Sequence, residues 1–128
     1  MEYVLLTGST SSIGRSIAIS LSQKYTIILA GRNLEEMNDA KIQLQGGGHL
    51  IWQCDFLNED VAQSLKLFLR DNNVQPSHFL HLGGWFTISP IRLQKAEETL
   101  KSFQINVFSA IDIVSVLSKK EFKTNLKN

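Results

Sequence analysis

The sequence predicts an α/β domain in which a parallel sheet lies between two layers of helices. Three observations carry that reading. Four short apolar runs alternate with four stretches of helical periodicity along the 128 residues. The second run, Tyr25-Thr26-Ile27-Ile28-Leu29-Ala30, is continuously apolar but for one threonine, as a strand buried on both faces would be. The first run, Val4-Leu5-Leu6, breaks at a cluster of Gly, Ser and Thr before helical spacing begins.

Taken in order, Glu2–Thr7 reads as strand 1. Ile13–Lys24 reads as a helix, with Ile13, Ile17 and Leu21 on one face. Strand 2 covers Tyr25–Ala30. Asn33 can cap a helix over Leu34–Gln45 with Met37, Ala40 and Leu44 inward, and Gly46-Gly47-Gly48 ends it. His49–Cys54 is strand 3. Asn58 is a candidate cap for a helix over Glu59–Asp71, whose Val61, Leu65, Phe68 and Leu69 share a face. Pro76 closes the loop, Ser77–Leu82 is strand 4, and a long helix runs from about Leu93 to Lys119. Repeats, linkers and low-complexity tracts are absent from the sequence. Right-handed crossovers then give strand order 3-2-1-4 and three α/β/α layers, a partial Rossmann-type doubly wound sheet. Its ligand crevice lies where the order reverses, at the carboxyl ends of strands 1 and 4.

Composition bounds the function. With 43% hydrophobic and 20% charged residues this is an ordinary globular chain of one domain. Thirteen Lys and Arg against 12 Asp and Glu leave no net field for nucleic acid or an acidic membrane surface. No apolar run approaches the ~18 residues of a membrane span. Strand 1 starts beside Met1 and Glu2, without the basic segment and apolar core of a signal peptide. Cys54, the sole cysteine, allows no internal disulfide and fits a reducing cytoplasm. Three histidines without ligand spacing give no metal site.

The stretch Thr7-Gly8-Ser9-Thr10-Ser11-Ser12-Ile13-Gly14 turns a strand sharply into a helix. Free backbone N–H groups at the positive end of a helix dipole make an anion site, and the usual anion is a phosphate. Gly8 lets the chain turn, and Gly14 lets the helix approach the strand beneath it. The spacing resembles the T-G-x-x-x-G-x-G fingerprint of the short-chain dehydrogenase/reductase family, with Ser12 in place of the middle glycine. Ser12 removes one unhindered approach to a pyrophosphate and offers a hydroxyl instead. The resemblance implies cofactor binding by Gly8, Thr10, Ser11, Ser12, Ile13 and Gly14.

Strand 2 ends Ala30-Gly31-Arg32-Asn33. A carboxylate at this strand end takes the ribose 2′-hydroxyl of NAD, and a basic residue accommodates the 2′-phosphate of NADP. Gly31 stands where the family's acidic residue would be and Arg32 follows it, so the resemblance implies NADP rather than NAD, with Arg32 and Asn33 at the cofactor. The plain alternative is a solvated Arg32 before a helix. Strand 3 ends Cys54-Asp55-Phe56, similar to the family's Asp-hydrophobe pair at the adenine; Asp55 as a simple turn or cap residue remains open. Cys54 reads as a small buried apolar residue, since no basic neighbour activates it. Strand 4 ends His81-Leu82-Gly83-Gly84, where the family has Asn-Asn-Ala-Gly. Gly83 and Gly84 meet the demand for close backbone approach to the adenosine ribose. His81 is either a brace replacing the first asparagine or a satisfied core histidine. Trp85 and Phe86 come next, at the crevice mouth, either walling a pocket or packing within the loop.

In the last helix, from Phe103 to Leu117 only Gln104, Asn106, Ser109, Asp112 and Ser115 interrupt the apolar residues, on all sides. Such a helix is buried beyond one sheet face. The family's corresponding helix packs against its twin, which implies a homo-oligomer. Ile105-Asn106-Val107 resembles the family's helix-4 active-site Asn, which holds a water in a proton relay; a buried structural hydrogen bond is the alternative. The family completes its site with a Ser and a Tyr-x-x-x-Lys. Here four residues beyond Tyr3 and Tyr25 stand Thr7 and Leu29, so the catalytic pair is missing.

The match thus covers roughly the first half of a family member: a cofactor-binding domain over residues 1–119 and a polar tail over 120–128, with the outer edge of strand 4 unpartnered. It implies the NADP(H)-binding portion of an oxidoreductase for a carbonyl or alcohol substrate, cut before its catalytic Ser and Tyr and inactive alone. The alternative is a non-catalytic NADP-sensing or interaction module. A phospho-receiver domain, similar in length, needs acidic residues where this chain has Thr7-Gly8-Ser9.

Overall fold

Strand alternation decides which residue faces which layer, and here it serves two cores. The computed structural model describes residues 2–84, 90–93 and 95–127. β1 (Tyr3–Thr7), β2 (Thr26–Gly31), β3 (Leu50–Gln53) and β4 (His78–His81) form one parallel sheet in the order β3-β2-β1-β4, as expected. The registers Leu5↔Ile28 and Leu5↔Phe79 align side chains that point to the same face. Leu5, Ile28, Ala30 and Trp52 meet α3 (Val61–Asn72) and α5 (Ser109–Leu117). Val4, Leu6, Ile27 and Leu29 meet α1 (Ser12–Ser22) and α2 (Leu34–Ile42). Burying one such aliphatic side chain contributes about 1.5–3 kcal/mol.

The helix starts follow short-range chemistry. Ser11 Oγ accepts from Gly14 N–H, and Asn33 Oδ1 from Glu36 N–H, as its predicted capping role requires. Asn58 does not cap α3. That helix starts at Val61, and its cap is Asp60, which accepts from Gln63 N–H. Residues 55–59 are instead tied as a loop, with Glu59 accepting from Asp55 N–H and Asn58 donating to Asp55. The face expected for α1 also shifts. Ile13 is 71% exposed, and the buried row is Gly14, Ala18 and Ser22, small residues that let the helix close on the sheet. Ile17 and Leu21 are half-buried on its flanks.

β3 begins one residue later than expected, at Leu50. His49 takes no place in the ladder; its Nδ1 accepts from Ile27 N–H, and Nε2 lies 2.6 Å from the Gln45 carbonyl. This buried ring finishes the pairing that β3 leaves undone at Ile27.

The last helix is continuous over Ala96–Leu117, as α4 (Ala96–Phe103), a π-helical turn at Gln104–Phe108, and α5. A 3₁₀ turn at Ile91–Leu93 precedes it. The all-round burial expected for this helix does not hold within the chain. Ser109, Ile113, Val116 and Leu117 are buried, while Phe103, Val107, Phe108, Ile111 and Val114 are exposed. Contrary to the expectation from run length, this helix is long and apolar enough to cross a membrane by length and composition alone. Its inner side nevertheless enters the protein core.

Residues 120–127 are more firmly held than a polar tail suggests. Phe122 is 3% exposed within the core beside α3, and Arg70 grips Glu121 through Nε and Nη2. Glu2 and Lys127 form an ion pair, and Lys127 N–H donates to the Ser77 carbonyl just before β4. The chain thus meets the start of β4 at Ser77, the residue just before the strand.

Candidate functional site

The carboxyl ends of the strands converge on one cleft of about 380 Å³. Its floor is made by two backbones in contact. Leu82 N–H donates to the Thr7 carbonyl and Gly83 N–H to Thr7 Oγ1. Gly8 has φ +74°, and a β-carbon there would stand 2.5 Å from the nitrogen of Gly83. A β-carbon on Gly14 would stand 1.8 Å from the Gly8 carbonyl oxygen, so the start of α1 is pressed against the turn it follows. Both glycines are required by space. Ser9 Oγ is buried without a hydrogen-bond partner among the described residues, an orphan beside a helix N-terminus.

Of the residues singled out from sequence, Gly8, Thr10, Ser11, Arg32, Asp55, Phe56, Gly83 and Gly84 line this cleft. Ser12, Ile13, Gly14, Asn33 and Asn106 do not. Gly14 and Asn33 act one step back, in the packing and capping described above. Trp85 and Phe86 lie outside the described residues. The lining also includes Leu57, Leu82, Lys101 and Ile105, which sequence reasoning missed. Lys101 and Ile105 stand four apart and share one face of the helix that carries Asn106, but neither lies at helical spacing from Asn106 itself, so that residue gave no signal for them.

Asp55 fills the turn role left open for it. Its Oδ1 accepts from Leu57 N–H and its Oδ2 from Asn58 Nδ2. The Asn58 bond, followed by the backbone bonds, holds its carboxyl below the ordinary value, and nearby Arg32 adds to this. It remains an anion on the cleft wall. A side chain at position 31 would meet Met37 Sδ at 3.3 Å, so that strand end favours glycine and leaves Arg32 as its charged group. Burial pushes the Cys54 thiol up to about 11, which removes it from consideration as a nucleophile. No cluster of metal-ligating side chains occurs among the described residues.

Asn106 lies in the π-helical turn, half-buried, with Nδ2 donating to Ser102 Oγ at 3.0 Å. Its Oδ1 stands 3.1 Å from where a β-carbon of Gly84 would lie, which brings the turn against the end of the β4 loop. Gln104 Nε2 donates to the Phe56 carbonyl at 3.1 Å, tying the same turn to the β3 end. π-Helical turns are often found at functional sites, where they re-aim side chains.

No family model matches the chain. A curated relative, benzil reductase ((S)-benzoin forming) of Bacillus cereus, is 23% identical over 98% of this chain and 53% of its own length. A short-chain dehydrogenase of Bacillus anthracis superposes with TM-score 0.85 at 18% identity, over 99% of this chain and 54% of that one. A candidate short-chain dehydrogenase of Escherichia coli CFT073, complexed with NADPH, gives TM-score 0.81 at 24% identity, over 91% of this chain and 51% of that one. One from Shigella flexneri, complexed with NADP, gives TM-score 0.81 at 24% identity, over 91% and 52%. The chain spans about half the length of the relatives it matches. Over that half it has the fold of short-chain dehydrogenases, and the family that its Thr7–Gly14 turn resembles is the one its relatives belong to.

Proposed function

We propose that this chain is the NADP(H)-binding portion of a short-chain dehydrogenase/reductase-type oxidoreductase acting on a carbonyl or alcohol substrate. One observation carries the reading. The Gly8–Gly14 turn, the Gly83-Gly84 backbone and Arg32 stand around a single cleft at the reversal of strand order. The glycine contacts leave a cradle of backbone without β-carbons, and the N-terminus of α1 opens on it. Arg32 supplies a guanidinium for the 2′-phosphate, and Asp55 and Phe56 flank the adenine. Ser12, Ile13 and Asn33 complete the cofactor set that the resemblance assigns. When bound, the nicotinamide supplies or accepts a hydride. The structures solved with NADPH and NADP support the choice of cofactor by likeness of fold.

The active-site role falls to Asn106, the sole member of the family's catalytic set in this sequence. The cofactor domain takes residues 1–119, with residues 120–127 packed against it through Phe122. The exposed row Phe103, Val107, Ile111 and Val114 supports a homo-oligomer through this helix. The single, buried cysteine supports a cytoplasmic, reduced setting. A non-catalytic NADP-sensing module would use the same cleft and differ in lacking turnover with any partner half.

Calorimetric titration of the chain with NADP and NAD tests the reading. An Arg–phosphate contact contributes about 1.5–3 kcal/mol, so NADP binds about 10- to 100-fold more tightly. Equal affinities, or binding of neither, would overturn it.

A further inference from the structure

His81 ends β4, and both of its ring nitrogens are engaged. Nε2 lies 3.2 Å from the Asn106 carbonyl, and Nδ1 lies 2.8 Å from Thr7 Oγ1. A carbonyl only accepts, so the ring proton belongs on Nε2 and Nδ1 is an acceptor. The Thr7 hydroxyl must then donate to Nδ1, which leaves its lone pairs for Gly83 N–H at 3.1 Å. The bonds run in one direction, from Gly83 through Thr7 and His81 to Asn106. They join the ends of β1 and β4, which floor the cleft, to the π-helical turn. His49 is also bonded at both nitrogens, but its partners Ile27 and Gln45 lie away from the cleft lining.

We infer that neutral His81 is a positioning residue that locks the Asn106 turn to the Thr7–Gly8 and Gly83 backbone, so that its protonation loosens the cofactor cleft. The inference rests on the NADP(H) reading only for the ligand used below. A proton on Nδ1 would force Thr7 to accept from both Gly83 and His81. The Thr7 side chain is fully buried, and its hydroxyl proton would lose its acceptor.

The charged and titratable groups on the surrounding elements are few. His78 lies at the other end of β4, bonded to Ser77, and Glu2 and Tyr3 at the other end of β1. Lys101 reaches the cleft from α4, and Arg32 and Asp55 from the ends of β2 and β3. Burial, the largest influence, lowers His81 from 6.5, while the Asn106 and Ile105 carbonyls pull it partly back. The unfolded chain therefore binds more protons between the lowered value and 6.5. Stability is fully present above 6.5 and falls as pH drops through the folded-state value.

The experiment uses the whole ¹⁵N-labelled chain, followed by NMR from pH 8 to 5, with NADP affinity measured over the same range. The expected tautomer carries the proton on Nε2, and the Gly83 amide resonance should move with the His81 titration. The NADP dissociation constant should rise by up to about tenfold per pH unit below that titration, the limit for one linked proton. His81→Asn does not titrate, and should keep only the pH dependence of the 2′-phosphate, whose second ionisation lies near about 6. His81→Gln can still reach the Asn106 carbonyl, and should lose the same component. A proton on Nδ1, a Gly83 amide blind to His81, or an unchanged pH slope in His81→Asn would overturn the inference. If NADP fails to bind at pH 8, the functional reading falls, and the tautomer and amide measurements, which need no variant, still decide this one.

Discussion

Leu6 and Leu80 are register partners on neighbouring strands, the same residue type pointing to the same face of one sheet. Leu6 is fully buried, whereas Leu80 is 36% exposed. The difference lies in the layer above them. On that face α1 and α2 pack over β1 and β2, with Ala18, Met37, Ala40 and Leu44 in the shared core. β4 carries no residue in that core. On the other face α3 and α5 span the sheet, and Phe79 packs against their cluster. Among the described residues one side of the sheet is covered across its width, and the other is covered over β1, β2 and, through Ile51, β3, but not over β4. Apolar character makes a strand; the crossover helices decide whether it becomes core.

The largest expected effect breaks that pair directly. Leu6→Ala empties a site enclosed on every side and should cost about 2–5 kcal/mol, whereas Leu80→Ala removes a partly wetted side chain and should cost less than about 1 kcal/mol. Urea unfolding midpoints of the two variants measure the gap. Equal losses would mean that something covers the face of β4 in solution.

The sequence made the covered part of the molecule legible and left the rest obscure. Continuous apolar runs identified β1 and β2, and the strand order followed from right-handed crossovers. Glycine spacing located the cleft floor, because Gly8 and Gly14 are forced by backbone contacts that no side chain allows. Ile13 misled because a helix that closes tightly on a sheet buries its smallest row, here Gly14, Ala18 and Ser22. Asn58 misled because a good capping residue can be claimed by a nearby carboxylate, here Asp55. For His81 the brace was one of two readings left open, and only its partners Thr7 and Asn106, 74 and 25 residues away, decide for it. Lys101 was missed because its helix was read for its apolar residues alone.

Next in size is Gly14→Ala. Its β-carbon would stand 1.8 Å from the Gly8 oxygen, and the start of α1 must move. Such overpacking costs about 1–3 kcal/mol or more. NADP affinity should fall with stability if the displaced turn is the phosphate cradle proposed above. Gly47→Ala is the control: a β-carbon there meets nothing within 4 Å. A Gly14→Ala variant with unchanged melting and unchanged affinity would separate the turn from the site. Arg32→Ala should leave the core intact and erase the preference of NADP over NAD, a loss of about 10- to 100-fold read by calorimetry. An undiminished preference would move the 2′-phosphate to another cation, with Lys101 the first to test.

The smallest expected effect on stability falls on the outward face of α5. Ile113 and Ile111 lie two apart on α5, the first fully buried and the second 58% exposed. Ile111→Glu leaves the inner face of the helix in place and should change stability by less than about 0.5 kcal/mol. Its effect on association should be much larger. If the row Phe103, Val107, Ile111 and Val114 faces the same row of a second copy, two buried glutamates would approach each other at its centre. Charge repulsion and desolvation then oppose the contact. Sedimentation velocity at micromolar concentration should show the parent chain as an oligomer and Ile111→Glu shifted towards monomer, with matching urea midpoints once the concentration dependence of the parent is removed. A parent chain that sediments as a monomer would leave that row uncovered. The helix would then be apolar outward as well as inward without a partner of its own kind, and Leu80 and Ile111 would share a single cause: both lie where the described residues bring no second layer.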